Sequence, residues 1–322
     1  VRDERRVEYR TMRAEERAGF LDLVDTAFTD EDPAHFARYL DADPHLDCED
    51  TWVAVEAGRI VSSVQVFTRT IRLRGEAVAL GGIGSVATHP DREGRGHATA
   101  LLRRAIDDMV ARGAVLSLLF TGRRGFYERL GWVQVPHALL AVRRGAGPSP
   151  AVGRPFSPAD LPRVRDLYEA YSGARDGTTV RDAAYWRGQL RFAGNPDEHF
   201  AVLEEGGEIV AYARRIAFFG LARVMEHGCS PGAEAALASL LLALAPPDGA
   251  LHLPRCDAAL EAALVGRGAA CDVVRFPDQM WRVIDGPRAR ALAGLPAAAA
   301  DGEVVRALVS GPDAVFWPSD RF

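Results

Sequence analysis

Hydrophobic and polar positions along the chain fall into alternating strand-like and helix-like blocks. The segment 51–61, TWVAVEAGRIV, reads as strand, tight turn and strand, with Ala57 and Gly58 at the turn. The segment 199–210, HFAVLEEGGEIV, reads the same way. A helix-spaced segment precedes each hairpin, 20–28 before the first and 164–171 before the second. The pattern predicts two copies of one α/β unit joined near residue 148, where the stretch 143–150, RRGAGPSP, has the composition of a linker. A third piece follows residue 285: an alanine-rich stretch, a helix-spaced segment from Glu303 to Val309, and a terminal FWPSDRF. It is too short for a core of its own. Its closing aromatics, Phe316, Trp317 and Phe322, need a surface to pack on, so the C-terminal segment is expected to dock on the body.

The most informative block runs from Gly82 to Leu102. It reads as a strand ending near His89, a turn rich in glycine and arginine, and a helix with Leu101, Leu102, Ala105, Ile106, Met109 and Val110 at helical spacing. Such a turn is an anion cradle. Gly94 and Gly96 allow close backbone approach, the first helical N–H groups have no partner within the helix, and the dipole there favours negative charge. Arg92 and Arg95 add positive charge, and a pyrophosphate fits. Taken alone, the turn also suits a mononucleotide site or a plain strand-to-helix connection. After it come an apolar run, Ala114–Phe120, suited to a buried parallel strand, a short helix in Gly125–Trp132 closed by a glycine, and a strand at Val133–Val135.

Composition narrows the function. The chain has 322 residues, 48% hydrophobic and 26% charged, enough for two globular domains. No apolar run approaches the ~20 residues of a membrane span. The N-terminal segment is charged rather than signal-like, so a cytoplasmic protein without membrane association is expected. The net charge of −5 offers no basic field for nucleic acid. Cys48, Cys229, Cys256 and Cys271 lack CxxC spacing, so neither a metal site nor a disulfide framework is expected. All 39 basic residues are arginine. A chain without lysine has no lysine Schiff base and no GxxxxGK[ST] phosphate loop.

The order of strand, Val86-x-x-His89-Pro90, arginine-glycine turn, helix, apolar strand and Phe126-Tyr127-x-x-Leu130-Gly131-Trp132 resembles the GNAT superfamily of N-acetyltransferases over about residues 8–142. The whole layout resembles the enhanced intracellular survival family within it. The resemblance implies an α/β (α+β) fold of two tandem GNAT-type mixed-sheet units with flanking helices plus a short C-terminal segment. The implied division is a catalytic domain at 1–147, a degenerate GNAT-like domain at 148–285 and a docking segment at 286–322.

The resemblance also implies roles. Backbone groups of Val86, Ala87 and Thr88 would pair with the pantetheine arm of acetyl-CoA, the cosubstrate, and the amides of Arg95, Gly96, His97 and Ala98 would hold its pyrophosphate. The family turn usually opens with Arg or Gln three residues before its main glycine; Glu93 stands there, with Arg92 one place earlier as an electrostatic substitute. Tyr127 would protonate the departing thiolate. The span Leu80–His89 has no carboxylate to act as base, which suits the arrangement in which a terminal carboxylate, here that of Phe322, accepts the proton. His89, just before a proline, is expected to be structural. The second half has no arginine-glycine turn, and Pro231 removes an N–H where the cradle would be, so no cofactor is expected there.

The acceptor is expected to be a small-molecule amine. Eight acidic residues, Asp30, Glu31, Asp32, Asp41, Asp43, Asp47, Glu49 and Asp50, lie on the segment that borders the acceptor in the family, opposed only by Arg38. They point to a cationic or multi-amine acceptor, or else to an ordinary solvated loop. A homo-oligomer is compatible with the sequence. A mycothiol-synthase-like acetyltransferase and a non-catalytic acetyl-CoA sensor or ligand-sequestering protein are the alternatives.

Overall fold

A computed structural model describes residues 7–29, 34–145, 147, 150–192, 198–218 and 220–322. Asp30, Glu31 and Asp32 of the acidic stretch, and Ala146, Pro148 and Ser149 of the linker, lie outside the described residues. The first half runs β1 (Glu8–Thr11), α1 (Arg17–Ala27), α2 (Ala34–Ala42), β2 (Thr51–Glu56), β3 (Arg59–Leu73), β4 (Glu76–Thr88), α3 (His97–Ala111), β5 (Leu116–Phe120), α4 (Arg124–Glu128), β6 (Val133–Gln134) and β7 (His137–Arg143). The second runs β8 (Arg154–Pro155), α5 (Leu161–Ser172), α6 (Ala183–Phe192), β9 (His199–Glu205), β10 (Glu208–Phe218), β11 (Leu221–Cys229), α7 (Glu234–Leu244), β12 (Leu251–Pro254), α8 (Ala258–Gly266), β13 (Ala270–Phe276) and β14 (Gln279–Val283). Helices α9 (Gly286–Ala293) and α10 (Asp301–Val309) precede the tail. No described helix is long and apolar enough to cross a membrane.

The local pattern explains the elements. The β2–β3 hairpin turns at Ala57 and Gly58, both with positive φ, the backbone that matches the strands' right-handed twist. Helix α3 buries Leu101, Leu102, Ala105 and Met109 against the first sheet and leaves Val110 exposed. The two halves build two sheets of the same design, ordered β1-β2-β3-β4-β5-β14-β6 and, read from the matching edge, β8-β9-β10-β11-β12-β7-β13 among the described residues.

The strand beside β5 is therefore not β6, its successor in the first half, but β14, which pairs with it antiparallel from Leu116–Val283 to Phe120–Gln279. Reciprocally, β7 lies between β12 and β13. Each half donates its last strand to the sixth position of the other's sheet, so neither sheet is confined to one side of residue 147. Sequence periodicity identifies a strand but not the sheet it joins.

The tail stitches the halves together once more. Val315 and Trp317 are buried in the core of the second unit, whereas Phe316 is buried in that of the first. This is the alternation of an extended chain between two apolar surfaces. The Trp317 indole N–H donates to Ser172 Oγ at 3.0 Å, and the ring packs edge-on against His227 at 4.9 Å.

Candidate active site

Strands β4 and β5 pair in parallel only from Leu80 with Leu116 to Ile83 with Leu119, and then diverge. The divergence begins at a bulge. Gln65 faces Gly84 and Ser63 faces Ala87, so β4 carries one residue more than β3 across this step. Ser85 sits in the bulge with φ 48, a left-handed backbone uncommon for a residue with a Cβ. Its strain is held by side chains, since Ser63 Oγ donates to the Ser85 carbonyl at 2.9 Å and Ser85 Oγ donates to Gln65 Oε1 at 2.5 Å.

A cavity of ≈ 820 Å³ occupies the divergence. Val86, Ala87 and Thr88 line one side, Leu119 to Arg123 the other, and Tyr127 and Phe322 also reach it. Among the described residues the cavity thus gathers five of the residues singled out in the sequence.

The other five stand on the turn. Residues 90–92 make a short 3-10 turn whose entry His89 caps: its Nδ1 accepts from the Asp91 N–H at 3.3 Å, which commits the ring to structure. Gly94 and Gly96 both have positive φ, and Gly96 is the N-cap of α3. This geometry turns the amides of Arg95, Gly96, His97 and Ala98 around the helix start, where N–H groups lack intrahelical acceptors. The His97 side chain points inward, its Nδ1 in a 2.9 Å hydrogen bond with Tyr9 Oη. Burial lowers its pKa, so the ring lends no charge to the turn. Arg95 is exposed at the turn. Arg92 is drawn back to β2 by an ion pair of its Nε with Glu56.

Tyr127 lies on α4, 8% exposed, with its ring edge-on to Phe126 at 4.9 Å and Trp132 at 6.2 Å. Burial pushes its pKa up to about 12, so the phenol keeps its proton through neutral pH.

Phe322 enters from the opposite side. Its ring stacks on Phe67 at 5.3 Å and tilts against Phe120 at 5.7 Å. Two glycines of β4 make room for it. A Cβ on Gly82 would overlap the Phe322 ring, and one on Gly84 would lie 3.2 Å from the Phe322 main-chain carbonyl carbon. The three residues before it are clamped. Arg321 donates to Asp278 Oδ2 at 2.8 Å, and its carbonyl accepts from Tyr39 Oη at 2.7 Å. Asp320 accepts from Arg181 Nε at 3.0 Å and from Tyr185 Oη at 3.0 Å. Ser319 Oγ donates to Glu226 at 2.6 Å, and Glu226 also pairs with Arg181. The side chains of Arg181, Glu226 and Asp320 are wholly buried, and the one guanidinium pairs with both carboxylates. Sequence reasoning missed this clamp, because its members are scattered between residues 39 and 320 and only the fold brings them together.

The described members of the acidic stretch form no negative wall on the cavity. Asp41 pairs with Arg17 at 2.6 Å, Asp43 is buried against Arg69, and Asp50 pairs with Arg112. None of the five described members lines the cavity; from this segment His35, Phe36, Arg38 and Tyr39 do. The amphipathic period of α2 turns its aromatic face inward, which a count of charges along the sequence does not register.

Residues 8–135 match the family model for the acetyltransferase (GNAT) domain. That segment is an acetyltransferase (GNAT) domain, and the chain has the tandem GNAT fold. Its fold is similar to that of a GCN5-related N-acetyltransferase from Kribbella flavida, with 17% identity, 89% of this chain and 73% of that chain covered, and a TM-score of 0.69. A probable N-acyltransferase from Enterococcus faecalis V583 is similar at 19% identity over 87% and 72% of the two chains, with a TM-score of 0.67. Eis1 from Mycobacterium abscessus is similar at 20% identity over 89% and 76%, with a TM-score of 0.63. No curated protein matches the sequence.

Proposed function

We propose that the chain transfers an acetyl group from acetyl-CoA to a primary amine by direct attack, with Tyr127 as general acid and the Phe322 carboxylate as base. The observation that carries this reading is the convergence of Tyr127, the diverging edge of β4 and the end of the tail on one cavity.

The donor fits the residues present. The amides of Arg95, Gly96, His97 and Ala98 surround the start of a fifteen-residue helix and suit a pyrophosphate. Among the described residues the β4 edge facing β5 has no strand partner past Ile83, so main-chain groups of Val86, Ala87 and Thr88 are available to a pantetheine arm. When bound, acetyl-CoA supplies an activated acyl carbonyl and a thiolate leaving group.

The chain's own groups then divide the proton work. The amine nitrogen forms its bond to the acyl carbon as the carbon–sulfur bond breaks. The Phe322 carboxylate takes the proton that the nitrogen sheds, and Tyr127 gives its phenolic proton to sulfur. Backbone N–H groups of the β4 bulge stabilise the negative charge that builds on the acyl oxygen. The clamp on residues 319–321 holds the carboxylate in place, an orientation enforced before substrate arrives.

The test is free-thiol release from acetyl-CoA in the presence of simple amines, with wild type beside a variant extended by a few residues past Phe322. Turnover by wild type that is lost in the extended variant, with acetyl-CoA binding retained, supports both roles. Full activity in the extended variant removes the base role of Phe322. Tight acetyl-CoA binding without turnover for any amine favours a sensor.

A further inference from the structure

The bulge in β4 is braced by buried polar side chains on the strands behind it. Ser62 Oγ donates to the Ala87 carbonyl at 2.7 Å, and Ser63 Oγ donates to the Ser85 carbonyl at 2.9 Å. Both hydroxyls belong to β3, and both carbonyls are drawn toward it. In a trans peptide the N–H points away from the C=O to which it is joined. The N–H groups of Val86 and Thr88 therefore point away from β3, toward the edge that β5 has left and the cavity that both residues line. Val86 is the nearer of the two to the acceptor end. Gly84 lies against the main chain of Phe322, whereas Thr88 leads into the turn before α3.

The aim of the Val86 N–H is set by the peptide before it, and so by the left-handed backbone of Ser85. That backbone is unfavourable for a residue with a Cβ. The Ser85 side chain has an anchor on β3. Its Oγ donates to Gln65 Oε1 at 2.5 Å, and Gln65 Nε2 donates to Thr51 Oγ1 at 3.0 Å. Thr51 and Gln65 stand directly opposite each other on β2 and β3, and both are buried. The threonine engages the amide nitrogen, so the amide oxygen is the end that meets Ser85.

We propose that Gln65 is a positioning residue for acetyl transfer; this rests on the transferase reading above. By clasping the Ser85 hydroxyl it keeps the bulge left-handed and aims the Val86 N–H at the acyl oxygen, where negative charge builds as the amine attacks. Gln65 moves no proton and makes no bond to substrate in this role. Its effect passes through Ser85 to the main chain.

The test uses the freedom of glycine at positive φ. Thiol release from acetyl-CoA with a simple amine is measured for wild type, Gln65→Leu, Ser85→Ala, Ser85→Gly, and Gln65→Leu combined with Ser85→Gly. Gln65→Leu and Ser85→Ala are each expected to lower kcat by about 10²-fold, the cost of a misaimed group. Affinity for CoA by calorimetric titration should stay within about threefold, because the turn before α3 is untouched. Ser85→Gly should be about tenfold faster than Ser85→Ala, and the combined variant about tenfold faster than Gln65→Leu, since glycine adopts the bulge backbone without the clasp. A Gln65 amide that touched substrate, or that served packing alone, would not be replaced by a glycine at position 85. Either glycine variant no faster than its comparison variant overturns the positioning role. So does unchanged kcat in Gln65→Leu, or a loss of CoA affinity as large as the loss of kcat. Each of these leaves acetyl transfer standing. If Gln65→Leu does not fold, Ser85→Gly against Ser85→Ala decides alone. Acetyl-CoA binding without thiol release by wild type for any amine overturns the transferase reading, and this proposal with it.

Discussion

Gly82 and Phe322 occupy one volume: the aromatic ring fills the space in which any other residue at position 82 would place its Cβ. Gly82 is in the paired part of β4, facing Phe67 on β3 and Leu118 on β5. The ring therefore lies on a rigid sheet just before the strands part, and its main-chain carbonyl carbon is near Gly84. Gly82→Ala is expected to push the ring off the sheet and to cost about 1–3 kcal/mol, the usual range for overpacking. Steady-state kinetics should show kcat reduced with acetyl-CoA affinity kept. A fall in acetyl-CoA affinity alone would place the ring outside the reacting end of the cavity.

Tyr127→Phe keeps the ring packing against Phe126 and Trp132 and removes only the phenolic hydroxyl, the proton donor of the proposed mechanism. A loss in kcat of about 10²-fold is expected, with little change in melting temperature. Because burial holds the phenol up to about 12, wild-type kcat should show no decline from Tyr127 ionisation between pH 7 and about pH 10. An unchanged kcat in the variant would reduce Tyr127 to a packing residue.

Gly96→Ala tests the turn. Nothing lies within 4 Å of a Cβ at this position, so the effect is conformational, arising from a φ of 82 that costs a residue with a Cβ about 1 kcal/mol. Calorimetric titration with CoA should show weaker binding by about tenfold. Equal affinity would mean that the amides at the start of α3 do not hold the pyrophosphate.

His227 links stability to pH. Burial pushes it down to about 3, and among the described residues neither ring nitrogen has a hydrogen-bond partner between Tyr171 and Trp317. Below the ordinary imidazole value of 6.5 the unfolded chain takes up a proton that the folded chain refuses until about pH 3. The associated stability is complete above pH 6.5 and declines as pH falls through that window. His137, pushed down to about 4 by burial, acts in the same direction. Melting temperatures measured from pH 7.5 to pH 4.5 should fall in wild type and fall less steeply in His227→Phe. Parallel curves would show that His227 contributes nothing to the acid sensitivity.

Local chemistry was legible in the sequence where local residues decide it. The hairpins at Ala57-Gly58 and Gly206-Gly207, the helix after Gly96, and the short helix ahead of Gly131 all lie where turn residues and spacing place them. What depends on distant partners was not. Nothing in 279–283 marks it as the neighbour of β5, because an apolar strand fits any buried slot of the right width. The acidic residues of 41–50 read as an exposed field until Arg17, Arg69 and Arg112, remote in sequence, are seen to meet them. The glycines of β4 signal close approach without naming Phe322, some 240 positions away, as what approaches.

The reciprocal strand exchange has a consequence for how the chain comes into being. On the ribosome an N-terminal domain ordinarily folds while the rest is still being made. Here the first sheet has a gap next to β5 until residues 279–283 have been synthesised and have left the exit tunnel. Until then the exposed edge of β5 is open to pairing with another nascent chain. The half that carries the arginine-glycine turn must wait for the half that follows it, so the two are obliged to mature together and cannot be produced as separate working pieces.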